Sequence, residues 1–112
     1  QSLEEFLREG ALFFIHHATE LEFHIDGLEL HNPFDFRATS DMFTFVGHPS
    51  LTGWDPCITG TAQQGVCDGY WIMLAPLTPG VHTLYARGRL DFPEFGNFSF
   101  ESEVTYTINV LP

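Results

Sequence analysis

CDGYWIMLAPLTPGVHTLYARGRL, running from Cys67 to Leu90, is the stretch on which the fold turns. Asp68-Gly69 reads as a turn, and a continuous apolar run, Tyr70 to Ala75, follows it. The run is short, rich in aromatics and bounded by Gly69 and Pro76, which fits a strand covered on both faces better than a short buried helix. Pro79-Gly80 then supplies a corner. Proline presets φ at the second turn position and glycine accepts a positive φ at the third. From Val81 to Arg87 the sequence alternates. His82, Leu84 and Ala86 share one face; Val81, Thr83, Tyr85 and Arg87 share the other. Two strands around a tight corner is the simplest reading.

Working outward, residues 1–9 read as a short helix. Ser2 and Glu5 match a capping box, Leu3, Phe6 and Leu7 form one stripe, and Gly10 ends it. Ala11 to Ile15 is apolar and fits a strand or a connector. Glu20 to Asp26 carries the cleanest strand signal, with Leu21, Phe23 and Ile25 alternating against Glu20, Glu22, His24 and Asp26. Gly27 allows a turn or a bulge. Phe34 to Arg37 and Met42 to Val46 are further short strands. Residues 47–69 show no periodicity and read as a long loop. Asp91 to Asn97 is a turn-rich connection. The last strand sends Val104, Tyr106, Ile108 and Val110 inward. About seven short strands with turns every eight to twelve residues predict an all-β, immunoglobulin-like antiparallel sandwich of one domain, 1–112, with a short N-terminal helix.

Cys57 and Cys67 bracket a segment rich in Gly, Thr and Gln. In an exported protein they are expected to pair and staple the 47–69 loop, with two free thiols as the alternative. Their spacing is not a CxxC redox motif, and two cysteines do not complete a zinc site.

A resemblance covers roughly residues 68 to 88. Leu77-x-Pro79-Gly80-x-His82-Thr83-Leu84, followed by Gly96-Asn97 and Val104 to Val110, resembles the last strands of bacterial immunoglobulin-like sandwiches. More narrowly, Asp68-Gly69-Tyr70-Trp71 through His82-Thr83 is similar to the C-terminal half of uncharacterised secreted bacterial proteins that carry a DGYW…PLxPGxHT segment after a VDG segment. Ile25-Asp26-Gly27 is the loose counterpart of VDG. The resemblance implies secretion and a β-rich domain; it supplies no catalytic residues. Members of that family carry a further N-terminal half.

Composition narrows the function classes. Fifteen acidic residues face four arginines, with no lysine, for a formal net charge of −11. Phosphate contacts need cations, so nucleic acid and anionic membranes are poor partners. No apolar run reaches the ~20 residues that span a bilayer. No signal peptide is visible. A processed chain, an excised domain and a cytosolic protein would all look like this; the cysteine pair and the resemblance favour a secreted or periplasmic location. The acidity reads as a solubility bias, with a carboxylate site for Ca2+ as the sharper alternative.

Candidate chemistry is sparse. Glu22, His24 and Asp26 project from one side of a strand about 7 Å apart, and His16 and His17 lie nearby in sequence. They could hold a transition metal, or simply form a wet face. Asp91, Glu94, Glu101 and Glu103 near the last hairpin could bind Ca2+, or form an acidic edge that discourages aggregation. No GxSxG, HExxH or phosphate loop is present. His82 is expected to bond a backbone carbonyl rather than act as a base. Trp54, Phe92 and Phe95 sit in predicted loops and are the candidate ligand-binding aromatics, the alternative being rings tucked onto the core. The expectation is a non-enzymatic binding module for a protein or carbohydrate. A self-associating structural subunit and a metal-dependent protein are the alternatives.

Overall fold

The computed structural model describes residues 1–112. In chain order its elements are α1 (Leu3–Ile15), β1 (Ala18–Ile25), β2 (Leu28–Glu29), β3 (Arg37–Thr39), β4 (Phe43–Val46), β5 (Ala62–Gly65), β6 (Asp68–Tyr70), β7 (Gly80–Phe92) and β8 (Phe98–Val110), with short 3-10 turns at Pro33–Phe36, Pro49–Gly53 and Pro93–Phe95. The chain is mostly β, with one helix.

The helix starts where the capping box predicts. Glu5 N–H donates to Ser2 Oγ at 3.1 Å, and Ser2 N–H donates to Glu5 Oε2 at 2.8 Å. It does not stop at Gly10 but continues to Ile15, so Ala11 to Ile15 is neither strand nor connector. A glycine inside a helix costs about 1 kcal/mol relative to alanine. Packing of Phe13 and Phe14 against Phe92 offsets this, with ring centroids 6.1 and 6.2 Å away.

Four strands form one antiparallel sheet in the order β2-β1-β7-β8. Asp26 and Gly27 both take positive φ, 49° and 80°. That is the two-residue turn matching the twist of a hairpin, and it joins β1 to β2. The β7–β8 hairpin closes over Pro93–Phe95, with Gly96 at φ 71° and Asn97 at φ 60°. The sequence places this turn but starts it two residues early, since Asp91 and Phe92 still pair in β7, and it begins the last strand too late, since β8 starts at Phe98.

The stretch that decides the fold behaves differently from expectation in its first half. Strand β6 ends at Tyr70, and residues 71–79 have no regular structure. Met73 is 96 % exposed and Trp71 58 %. Pro79-Gly80 therefore opens β7 instead of joining two paired strands; β7 pairs with β1 and β8. Phe34 to Phe36 is a 3-10 turn initiated by Pro33, and only Arg37 onward pairs as β3.

The remaining strands form two ribbons. β3 pairs with β6, clamped by Arg37 to Asp68 at 3.1 and 2.9 Å, and β4 pairs with β5. Residues 47–69 are thus not one loop, because β5 and the first two residues of β6 lie inside them. The cysteines are not bonded: Cys57 and Cys67 are both exposed free thiols. Each is fixed by its own neighbourhood. Cys57 N–H donates to Asp55 Oδ1 at 2.8 Å, and Cys67 N–H donates to Ser40 Oγ at 2.9 Å beside the β3–β6 ribbon.

The strands are divided among one four-stranded sheet and two two-stranded ribbons, and only Gly47, Gly69, Leu84 and Phe92 are buried. The radius of gyration is 17.0 Å, against about 13 Å for a compact chain of this length. The accessible surface is 8162 Å², against about 6,200 Å² for a globular monomer of this mass. No helix is long and apolar enough to cross a membrane.

Candidate functional site

The register of the large sheet separates two faces. Directly opposed residues point the same way. Glu22, Arg87 and Glu103 are in line across β1, β7 and β8, as are Glu20, Arg89 and Glu101. Phe23, Ala86 and Val104 are in line on the opposite face, as are Ile25, Leu84 and Tyr106. One face is therefore charged and the other apolar.

The charged face is internally matched. Arg87 lies 2.7 Å from Glu101, 3.1 Å from Glu20 and 3.3 Å from Glu22. The hydrogen bond to Glu101 raises the Arg87 pKa, and the same bond lowers that of Glu101. Asp91 accepts from Ser99, Thr19 and Arg89, and its pKa falls to about 2, with the Ser99 bond the largest cause. Glu103 accepts from Tyr85 Oη at 2.9 Å, and Glu94 pairs with His17. The four carboxylates expected at the last hairpin thus each hold a protein partner. Arg8 and Arg37 are likewise paired with Glu4 and Asp68, so all four arginines are committed.

The apolar face is incompletely covered. The Tyr70–Ile72 segment and Pro33 lean over it, leaving an apolar groove of about 350 Å³ lined by Leu21, Phe23, Tyr70, Ile72, Ala86 and Val104. At the far end of the hairpin, α1 covers Phe92. There His17 stacks on Phe92 at 4.4 Å, Phe95 lies 6.0 Å away and Phe98 6.1 Å. Beyond these covers the β8 side is open: Phe98 is 57 % exposed, Phe100 56 % and Tyr106 57 %. Sequence reasoning missed Phe98 and Phe100. Their signal was present, because they continue the even-numbered apolar positions of Val104 and Tyr106 back through Ser102.

The three candidate aromatics separate. Trp54, at the end of the 3-10 turn, is 89 % exposed, and Phe95 is exposed at the rim of the cluster. Phe92 is no open platform; it is 5 % exposed and sits at the centre of the cluster. The three proposed metal-binding residues also separate. His24 Nε2 lies 3.4 Å from Glu22 Oε2 on the charged face. Asp26 turns away with the hairpin and engages His82. No group of three or more His, Cys, Asp or Glu side chains comes together in a way that could hold a metal ion.

Asp26 and His82 form a clasp between the β1–β2 turn and the start of β7. Asp26 Oδ2 lies 2.7 Å from His82 Nδ1, and Asp26 Oδ1 accepts from Thr83 N–H at 2.9 Å. His82 Nε2 reaches the Thr78 carbonyl at 2.6 Å, the backbone contact expected of it. The bond to Asp26 and then the Thr78 carbonyl raise the His82 pKa above 6.5. The His82 bond and the Thr83 amide lower Asp26 below 3.8. A raised histidine contributes stability that is full below its unfolded pKa and lost as pH rises through the folded value. A lowered carboxylate contributes stability that is present above its unfolded pKa and lost as pH falls through the folded value. The clasp is therefore strongest between about pH 4 and 6.5. Melting temperature measured across pH 5 to 9 should fall through the alkaline side in the native chain and fall less in His82→Gln. Coincident profiles would remove the clasp as the cause.

No family model, curated protein or solved structure matches the chain.

Proposed function

We propose that the chain is a non-enzymatic interaction module that works by having another polypeptide complete its apolar sheet face. The surface excess carries this reading. Relative to a globular monomer of the same mass, the chain exposes roughly 1,900 Å² more than it should. Obligate interfaces bury about 1,000–2,500 Å² on each partner, so the excess is of the size one such interface removes. Contiguous apolar patches of this kind mark association sites. Phe98, Phe100 and Tyr106 lie together on it, and Trp71 and Met73 are exposed on the adjoining segment.

The charges favour the same reading. His17 and His82 are engaged by Glu94 and Asp26, and every arginine faces a carboxylate, which supports a polypeptide partner over a polyanion. The immunoglobulin-like sandwich expected from the sequence fits as well, its second layer being what the partner would supply. A secreted or periplasmic setting remains the proposed location, on the resemblance at residues 68 to 88.

Small-angle scattering together with binding of an apolar dye tests the module. A monomeric chain is expected to scatter with a radius near 17 Å and to raise dye fluorescence, and the fluorescence should fall once a partner covers the apolar face. A chain of about 13 Å radius that leaves the dye dark would contradict the proposal.

A further inference from the structure

The free edge of the sheet carries more information than the face. β8 is the outermost strand, thirteen residues long, and pairs only with β7. Its backbone orientation follows from that of β7. Asp26 N–H donates to the Thr83 carbonyl at 2.8 Å, and Asp91 N–H donates to the His17 carbonyl at 3.0 Å. Odd-numbered β7 residues thus turn their backbone groups toward β1, and even-numbered ones turn theirs toward β8. Tyr106 opposes Leu84 and Val104 opposes Ala86, so even-numbered β8 residues answer them. Ser99, Glu101, Glu103, Thr105, Thr107 and Asn109 are left aiming N–H and C=O away from the sheet.

Such an edge is a template for another strand unless something blocks it. β8 contains no proline and no lysine, and its register with β7 is unbroken from Phe98 to Val110. The two glutamates that could guard it are drawn back onto β7. Glu101 accepts from Arg87 Nε at 2.7 Å and Glu103 from Tyr85 Oη at 2.9 Å.

We propose that a second copy of this chain pairs antiparallel along β8, about a two-fold axis at Val104. This rests on the interaction-module reading and adds to it a contact along the edge of the same sheet. Charge and overlap select the register. With the axis at Val104 all thirteen residues overlap; Glu103 faces Thr105 of the second copy and Glu101 faces its Thr107. Moving the axis to residue 103 sets Glu103 against itself, and like charges directly opposed are destabilising. Moving it to residue 105 leaves Phe98 beyond the paired segment. In the Val104 register Phe98 meets Val110, Phe100 meets Ile108 and Tyr106 meets Ser102, which covers part of the most open strip of the apolar face. The contact is self-complementary and closed, as a two-fold interface requires.

The register predicts a cross-link. Opposed residues at a non-hydrogen-bonded position have Cα atoms about 4.5 Å apart, inside the roughly 4.4–6.8 Å that a disulfide spans. In a Cys57→Ser/Cys67→Ser chain, Val104→Cys should give a covalent dimer under mild oxidation, and Glu103→Cys should give much less. Light scattering of the native chain should return twice 12.7 kDa. Thr105→Pro removes an outward N–H that β7 does not use, and should halve that mass with the circular dichroism spectrum retained. A native monomer at the cross-linking concentration, or a stronger link at residue 103 than at 104, overturns the pairing. If the monomer is still expanded and dye-bright, only the edge pairing falls. A compact, dye-dark monomer removes the module reading as well.

Discussion

Phe92→Ala is expected to destabilise the chain by about 3 kcal/mol, the low end of the range for a buried phenylalanine. Two features set the magnitude. Phe92 is one of two buried large apolar side chains, at 5 % exposure, and five aromatic rings lie within 6.2 Å of its own. Most of those rings are themselves partly exposed, so they can close into the hole, which keeps the cost from the top of the range. The loss is still large for a domain of this size, where total stability is about 5–15 kcal/mol. Its character should also be distinctive. Phe13, Phe14 and His17 reach the sheet through Phe92, and a thirteen-residue helix is marginal without tertiary contacts. Circular dichroism should therefore lose helical signal at lower denaturant than the strand signal. A single coincident transition with an unchanged midpoint would show that α1 is held elsewhere. Phe92→Leu should recover part of the loss, because it refills volume without restoring the stack on His17.

How far the sequence anticipates this arrangement depends on whether a segment's fate is set locally. The capping box at Ser2 and Glu5, the alternation around Phe23 and the Gly96-Asn97 turn are local, and each is found where expected. β5 is not local. Ala62-Gln63-Gln64-Gly65 has no apolar period and becomes a strand because Phe43–Val46 pairs with it. The run Tyr70–Ala75 errs the other way. Its apolarity predicts a covered strand, but strand pairing stops at Tyr70, Trp71 N–H makes a last bond to the Phe36 carbonyl, and the Trp71 and Met73 side chains stay exposed. The candidate site was half legible for the same reason. Phe95 and Trp54 are exposed as their turns suggest, whereas the burial of Phe92 depends on a helix extending past Gly10 to reach it. Asp26 left the Glu22–His24 row because its positive φ belongs to the hairpin turn, which one-strand periodicity does not register.

Gly47→Ala is expected to cost about 1–3 kcal/mol, the range for adding a methyl group to a filled site. Gly47 ends the β4 segment and is buried, and a Cβ placed there would lie 2.6 Å from Ile58 Cγ2. That separation is far inside carbon–carbon contact, which is optimal near 3.5–4.0 Å. The opposing atom is a branch on the Ile58 Cβ, and β-branched side chains are stiff at χ1, so rotation offers little relief. The backbone must shift instead, and Ile58 is tied there by its N–H to the Asp55 carbonyl at 3.0 Å. The clash therefore reads out the docking of the 49–58 turn on β4, which holds Trp54 in place. A double-mutant cycle separates this from any intrinsic effect of alanine. Ile58→Ala alone should be destabilising, yet in its presence Gly47→Ala should become nearly neutral, leaving a favourable coupling of about 1 kcal/mol or more. Strict additivity of the two changes would mean that Gly47 and Ile58 do not meet in solution. The turn carrying Trp54 would then be free to move relative to the strand it is drawn against.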